Sequence, residues 1–140
     1  MRLLVVEAKS ADRGGLAAQL RGSSHSVEHA PDAETALRRA AATPFEVVVV
    51  STMAGSMPAR ELVKRLRAAE RGAPAYVILA TAEPTVTELE SAFSAGIDDF
   101  VRKPVSRDEL LVRIGGVHRL PVLWTGLRRR SDRRERTELH

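Results

Sequence analysis

Phe45-Glu46-Val47-Val48-Val49-Val50-Ser51-Thr52-Met53-Ala54-Gly55-Ser56-Met57 decides the fold. A strand that faces water on one side alternates apolar and polar residues. A strand that is apolar on consecutive residues is buried on both faces, as in a parallel sheet covered by helices. Glu46 to Val50 therefore predicts an interior strand, and the polar, glycine-bearing stretch after it predicts a loop at its carboxyl end.

On both sides of this strand the chain alternates short apolar runs with helical spacing. Leu3 to Val6 predicts the first strand, and Ala11 to Leu20 a helix with Leu16, Ala17 and Leu20 on one face and Ser10 as N-cap. Gly14-Gly15 weakens that helix by about 1 kcal/mol per glycine relative to alanine, and Gly22-Ser23-Ser24 ends it. Ser26 to Ala30 predicts a second strand. Asp32 then N-caps a helix through Ala42, with Ala33, Ala36, Leu37 and Ala40 along one face and Thr43-Pro44 as its stop. Arg60 to Ala69 is helical with Leu62, Val63 and Leu66 inward, until Gly72-Ala73-Pro74 breaks it. Tyr76 to Ala80 predicts the fourth strand. Pro84 opens a helix to Ala95 with Val86, Leu89 and Phe93 as its apolar stripe, closed by Gly96. Ile97 to Val101 predicts the fifth strand, and Ser106 caps a last helix with Leu110, Leu111, Ile114 and Val117 inward.

Five strand–helix alternations predict an α/β fold, a doubly wound five-stranded parallel sheet. Such sheets carry their sites at the carboxyl ends of the strands, near the switch in strand order. Those ends are Glu7-Ala8, Ser51, Thr81 and Lys103. His25, His29, His118 and His140 are scattered without metal-ligand spacing, and the first two are read as solvent-facing. No phosphate-cradling G-x-x-x-x-G-K loop is present.

Glu7-Ala8, then Ser51, then Ala80-Thr81-Ala82, then Asp98-Asp99-Phe100-Val101-Arg102-Lys103-Pro104 resemble, in order and spacing, the receiver domain of bacterial response regulators. The resemblance covers residues 1–118 and implies the flavodoxin-like, CheY-like (βα)5 fold. In that family an acidic pair after the first strand holds magnesium, and an aspartate after the third accepts a phosphoryl group. A hydroxyl residue after the fourth strand and a lysine after the fifth bind the phosphoryl oxygens. The chain departs from this pattern twice: Ala8 offers no oxygen, and Ser51 stands in the acceptor's place. Magnesium wants a near-octahedral oxygen cage with one or two carboxylates. A serine hydroxyl is a poor nucleophile without a base to activate it.

The resemblance therefore implies a degenerate phosphorylation site at Glu7, Ala8, Ser51, Thr81 and Lys103, with no metal, no cofactor and no catalysis. Ser51 is expected to cap the third strand through local hydrogen bonds, and Lys103 to pair with Glu7. Phe100 matches the family's switch aromatic, and Pro104 implies a cis Lys103–Pro104 bond. Asp98 and Asp99 precede the strand's carboxyl end and are not read as metal ligands. Met53 and Met57 are read as packing or partner contacts.

At 140 residues, 44% hydrophobic, the chain is expected to form one folded body. The lack of cysteine excludes disulfides, thiolate metal sites and a cysteine nucleophile. No apolar run approaches the roughly 20 residues that span a bilayer, and no leader pattern precedes the first strand. A cytoplasmic protein with no membrane association is the expectation. Residues 121–140 hold six arginines against Asp132, Glu135 and Glu138, while the rest of the chain is near neutral. The expected division is a receiver-like domain over residues 1–119 and a basic C-terminal tail or linker helix over residues 120–140.

The function implied is phosphorylation-independent signalling through a protein partner, a fused output domain or a homodimer. In the family, the fourth helix, fifth strand and fifth helix form the contact surface, here Pro84 to Arg119. Val86, Leu89, Phe93, Leu111 and Trp124 are the expected interaction residues. Two alternatives stay open. One is a ligand- or anion-gated pocket around Glu7, Ser51, Thr81 and Lys103. The other is a DNA-binding regulator that uses the arginine-rich tail, against which acid–base pairs at helical spacing, such as Asp132 with Arg136, favour a solvated linker.

Overall fold

The computed structural model describes residues 1–8, 15–70 and 72–117. In chain order these form β1 (Arg2–Val6), α1 (Leu16–Leu20), β2 (Ser26–Ala30), α2 (Ala33–Ala42), β3 (Val47–Ser51), β4 (Met53–Ala54), β5 (Met57–Pro58), α3 (Ala59–Ala69), β6 (Tyr76–Thr81), α4 (Val86–Ala95), β7 (Asp99–Arg102) and α5 (Arg107–Val117). Five strands make one parallel sheet in the order β2-β1-β3-β6-β7. The order reverses at β1, which opens the crevice between the carboxyl ends of β1 and β3.

The valine run lies at the centre because both its faces can be covered. Val47, Val48, Val49 and Val50 are each at most 2% exposed. Alternation then splits the core into two layers. Leu4, Val6, Val48, Val50, Val77 and Leu79 pack with α2, α3 and α4 residues such as Ala36, Leu62 and Ala92. Leu3, Val5, Val47, Val49, Ile78 and Ala80 pack with Leu16 and Leu20 of α1 and Leu110 and Ile114 of α5. Each fully buried valine or leucine stabilises the fold by roughly 1.5–3 kcal/mol, so these layers fix the sheet that carries the site.

The element ends differ from the sequence expectation where side chains intervene. α4 begins at Val86 rather than at Pro84, because the Thr85 hydroxyl accepts the Glu88 N–H at 3.1 Å and makes Thr85 the N-cap. β7 begins at Asp99 rather than Ile97, because the Ile97 N–H still bonds to the Ala92 carbonyl of α4. The loop after β3 contains an unforeseen antiparallel ladder that pairs Met53 with Pro58 and Ala54 with Met57. α2 keeps its expected cap, with Asp32 Oδ1 accepting the Thr35 N–H at 2.8 Å. The expected Ser10 cap of the first helix lies outside the described residues.

Candidate functional site

Glu7, Ser51, Thr81 and Lys103 follow or end neighbouring strands, so the parallel sheet brings them to one end. Glu7 is 6% exposed. Its Oε2 accepts the Leu16 N–H at 2.9 Å and its Oε1 the Ala17 N–H at 3.0 Å. These are orphan donors of the first turn of α1, whose N-cap Gly15 has no side chain to satisfy them. The carboxylate does that work from the end of β1, where the positive end of the helix favours it. The Glu7 carbonyl is held as well, by His29 Nε2 at 2.9 Å. His25 contacts the N-terminal amine. Both histidines are half-buried and hydrogen-bonded, which corrects the solvent-facing expectation.

Ser51 is 8% exposed. Its Oγ accepts a hydrogen bond from Lys103 Nζ, a residue 52 positions away. Two expectations are corrected by that contact. Ser51 bonds across the sheet rather than locally, and Lys103 reaches Ser51 rather than Glu7, whose oxygens already serve α1. Lys103 is carried on the turn after β7, its N–H bonded to the Thr81 carbonyl at 2.8 Å, and the Lys103–Pro104 bond is cis.

Thr81 is 1% exposed and faces α4 rather than the serine. Its hydroxyl donates to Glu88 Oε1 at 2.9 Å and accepts the Glu83 N–H at 3.3 Å. Glu88 was not singled out by the sequence. Its signal is Thr85-Val86-Thr87-Glu88, a capping-box spacing, although the carboxylate goes to Thr81. Phe100 is half-buried against the layer of α2, α3 and α4. Asp98 bonds Arg67 and the Val77 N–H, and Asp99 bonds Arg113.

The β4–β5 turn borders the site. Gly55 takes φ +70°, and a Cβ there would lie 3.0 Å from the Asp32 Cβ, so the turn rests on the α2 cap. The Thr35 N–H that Asp32 accepts holds the Asp32 carboxyl below the ordinary value of 3.8. Met53 is exposed, and Met57 is half-buried against the core.

The donors present do not fit magnesium. Both Glu7 oxygens are committed to backbone amides, Ala8 contributes none, and the Ser51 oxygen accepts from an ammonium. Among the described residues no cluster of three acidic, histidine or cysteine side chains could hold a metal.

α4 turns its small residues inward. Ala92 and Ala95 are buried, while Val86 is 72% and Phe93 45% exposed and Leu89 is half-buried. The expected apolar stripe thus lies mostly on the outside. On α5, Leu111 packs against the core and Val112 is 75% exposed. Trp124, His118, His140 and the basic tail lie outside the described residues. Among the described residues no helix is long and apolar enough to cross a membrane.

Residues 3–115 match the response regulator receiver domain family. The two-component response regulator PhoP of Pseudomonas aeruginosa is 31% identical over 119 residues, 85% of this chain and 52% of that protein. The response regulator MprA of Mycolicibacterium vanbaalenii is 33% identical over 114 residues, 81% of this chain and 48% of that protein. The chain spans about half the length of these curated relatives. Among solved structures, a two-component response regulator from Clostridium difficile superposes with a TM-score of 0.77 at 16% identity, covering 86% of this chain and 97% of that one. The receiver domain of a sensor histidine kinase from Pseudomonas aeruginosa, with magnesium in its active-site cleft, has a TM-score of 0.71 at 25% identity, covering 84% of this chain and 94% of that one. With that family match over most of its length and the parallel sheet described above, the chain belongs to the response regulator receiver domain family, the signalling module of two-component systems.

Proposed function

We propose that this receiver works without phosphorylation and signals by presenting a fixed α4–β7–α5 surface to a protein partner, a fused output domain or a second copy. The observation that carries the reading is Ser51: a neutral hydroxyl ends β3, and its oxygen is engaged by Lys103. An acceptor carboxylate would supply both the nucleophile and a magnesium ligand. Ser51 supplies neither, and Glu7 is tied to α1. The kinase receiver with magnesium in its cleft is the contrasting case.

The output side fits the same reading. Thr81 is held by Glu88 in the first turn of α4, so α4 is pinned to the end of β6. Val86 and Phe93 stand out from it. Across the edge strand, Arg113 of α5 bonds Asp99 of β7 at 2.6 Å. Burial opposes the Arg113 charge, but the carboxylates of Asp99 and Glu109 outweigh it and raise the Arg113 pKa above its ordinary value. Exposed apolar residues beside ordered charges make a surface suited to a protein partner.

Intact-mass analysis after incubation with acetyl phosphate and magnesium tests the proposal. The wild type is expected to gain no phosphoryl group, and the double variant Ala8→Asp/Ser51→Asp, which supplies both missing carboxylates, to gain one. A phosphorylated wild type overturns the reading. Sedimentation of wild type against Phe93→Asp then separates a self-association surface from one that waits for another protein.

A further inference from the structure

We propose that the chain covers its own α4 face: the basic, apolar segment from Arg119 to Arg130 docks on Val86, Glu90 and Phe93 and masks them. The inference rests on the reading of α4 as part of the signalling surface and says what covers it.

The face is apolar with an acidic centre. Val86 is 72% and Phe93 45% exposed. Glu90, also exposed, follows Val86 by four residues and precedes Phe93 by three, so its carboxylate stands between them on one side of α4. Residues 82–101 contain Glu83, Glu88, Glu90, Asp98 and Asp99 and no lysine or arginine. Asp98 and Asp99 are taken by Arg67 and Arg113, and Glu88 accepts from Thr81. Among the described residues Glu83 and Glu90 meet no cation. α2, α3 and α5 all carry arginines, whereas the charged residues of α4 are all carboxylates. The occupant this face calls for is basic and apolar.

The chain carries such a segment. Residues 119–130, which lie outside the described residues, read Arg119-Leu120-Pro121-Val122-Leu123-Trp124-Thr125-Gly126-Leu127-Arg128-Arg129-Arg130 and contain no acid. Leu120, Leu123, Trp124 and Leu127 recur at intervals of three and four, as Val86, Leu89 and Phe93 do. The arginines at both ends complement Glu83 and Glu90. The outer side of α2 and α3 repels them, because Arg38, Arg60 and Lys64 are exposed there.

Topology delivers the segment. α4 and α5 each follow a parallel strand, so both end at the amino end of the sheet, on opposite faces with the edge strand β7 between them. The chain therefore leaves α5 at the end where Phe93 stands. From Val117 to Trp124 an extended chain reaches up to about 24 Å, and two layer spacings of about 10 Å each need less. Gly115 and Gly116 ease the turn. Neither takes a positive φ, and a Cβ on either would meet nothing within 4 Å, so packing does not require glycine there. Two poor helix formers near the end of α5 let the chain leave the helix axis and round β7.

Trp124 is the one tryptophan of the chain, so its fluorescence reports the contact. Emission and acrylamide quenching are compared for the 140-residue wild type, Phe93→Asp, Glu90→Arg and Gly115→Ala/Gly116→Ala over a range of protein concentrations. The wild type is expected to emit to the blue and to be shielded from acrylamide at every concentration. Phe93→Asp and Glu90→Arg are expected to shift emission to the red and lose the shielding, with urea midpoints near the wild type's because both residues are exposed. Gly115→Ala/Gly116→Ala, which stiffens α5 without touching the face, is expected to reduce the shielding too. So is salt near 1 M, where the Debye length falls to about 3 Å.

Shielding that appears only as concentration rises assigns the segment on this face to a second copy and overturns the internal cover. A red, unshielded Trp124 in the wild type overturns the docking. Shielding that survives both Phe93→Asp and Glu90→Arg puts the segment elsewhere and overturns it as well. Each of these leaves the phosphorylation-independent reading standing, whereas phosphoryl transfer to the wild type in the mass assay removes that reading and leaves the Trp124 result untouched.

Discussion

The Arg67 guanidinium at the amino end of the sheet and the Lys103 ammonium at its carboxyl end are both partly buried cations, and the chain surrounds them differently. Arg67 Nη1 donates to Glu70 Oε1 at 2.5 Å and to the Ala75 carbonyl at 2.7 Å. Its Nε and Nη2 donate to the Gly96 carbonyl at 3.0 and 2.8 Å, and Nη2 also to Asp98 Oδ2 at 2.9 Å. Asp98 accepts the Val77 N–H in turn. The planar fork of arginine thus ties α3, β6 and the α4–β7 turn into one knot with two carboxylates. Lys103 has Ser51. A cation held by carboxylates and carbonyls ties several elements together, whereas a cation on a single hydroxyl joins only the two strand ends that carry them. That difference separates the structural end of this molecule from its candidate functional end.

The largest test of the contrast is Arg67→Ala. It leaves Asp98, whose side chain is 6% exposed, without its cation. Breaking a buried pair from one side costs about 3 kcal/mol or more, read as a lower urea midpoint. Arg67→Lys should recover little of it, since a point charge cannot reproduce the fork. Lys103→Ala should leave the midpoint near the wild type's or raise it. Equal losses from the two alanines would erase the distinction.

Glu7→Gln comes next. As a cap on α1, Glu7 accepts two backbone N–H bonds, one on each oxygen, and the amide of glutamine can accept with only one oxygen. A loss of about 2 kcal/mol in urea unfolding is expected, with no change in the response to magnesium. A metal ligand would behave oppositely: little change in stability, and a magnesium response in the wild type that the variant loses. Ser51→Ala is smaller, about 1 kcal/mol, the size of one hydrogen bond. It sharpens the comparison by leaving Lys103 with no partner among the described residues.

The sheet could be read from Val47 to Val50 because burial on both faces needs consecutive apolar residues, a constraint local in sequence. The strand-end residues could be placed for the same reason: a parallel sheet fixes which ends meet. Partners could not be read, because they depend on side-chain reach across 52 residues for Lys103 and Ser51. Opposite charges suggested Lys103 with Glu7, but two backbone amides outcompete an ammonium that has a hydroxyl nearer to hand. Likewise the spacing of Val86, Leu89 and Phe93 marked an apolar stripe on α4 without saying whether it faces in. The tight α3–α4 packing decides that in favour of Ala92 and Ala95.

The smallest expected effect concerns the rim of the functional end, where Asp32 caps α2 and supports the Gly55 turn. Its carboxyl is held low by the Thr35 N–H, so the folded state binds the proton less readily than the unfolded chain does. By linkage, its contribution is fully present above the ordinary aspartate value of 3.8 and is lost as pH falls through the lower folded value. Asp32→Asn keeps an oxygen for the Thr35 N–H but has no charge to lose. Between wild type and Asp32→Asn, the stability difference measured by urea unfolding should therefore be constant from pH 7 to about pH 5 and shrink below it. Because Asp32 lies at the surface, the difference is small and should fall further with added salt. A difference that grows on acidification would mean that Asp32 is protonated in the folded state, and the turn above the site would then rest on a neutral cap.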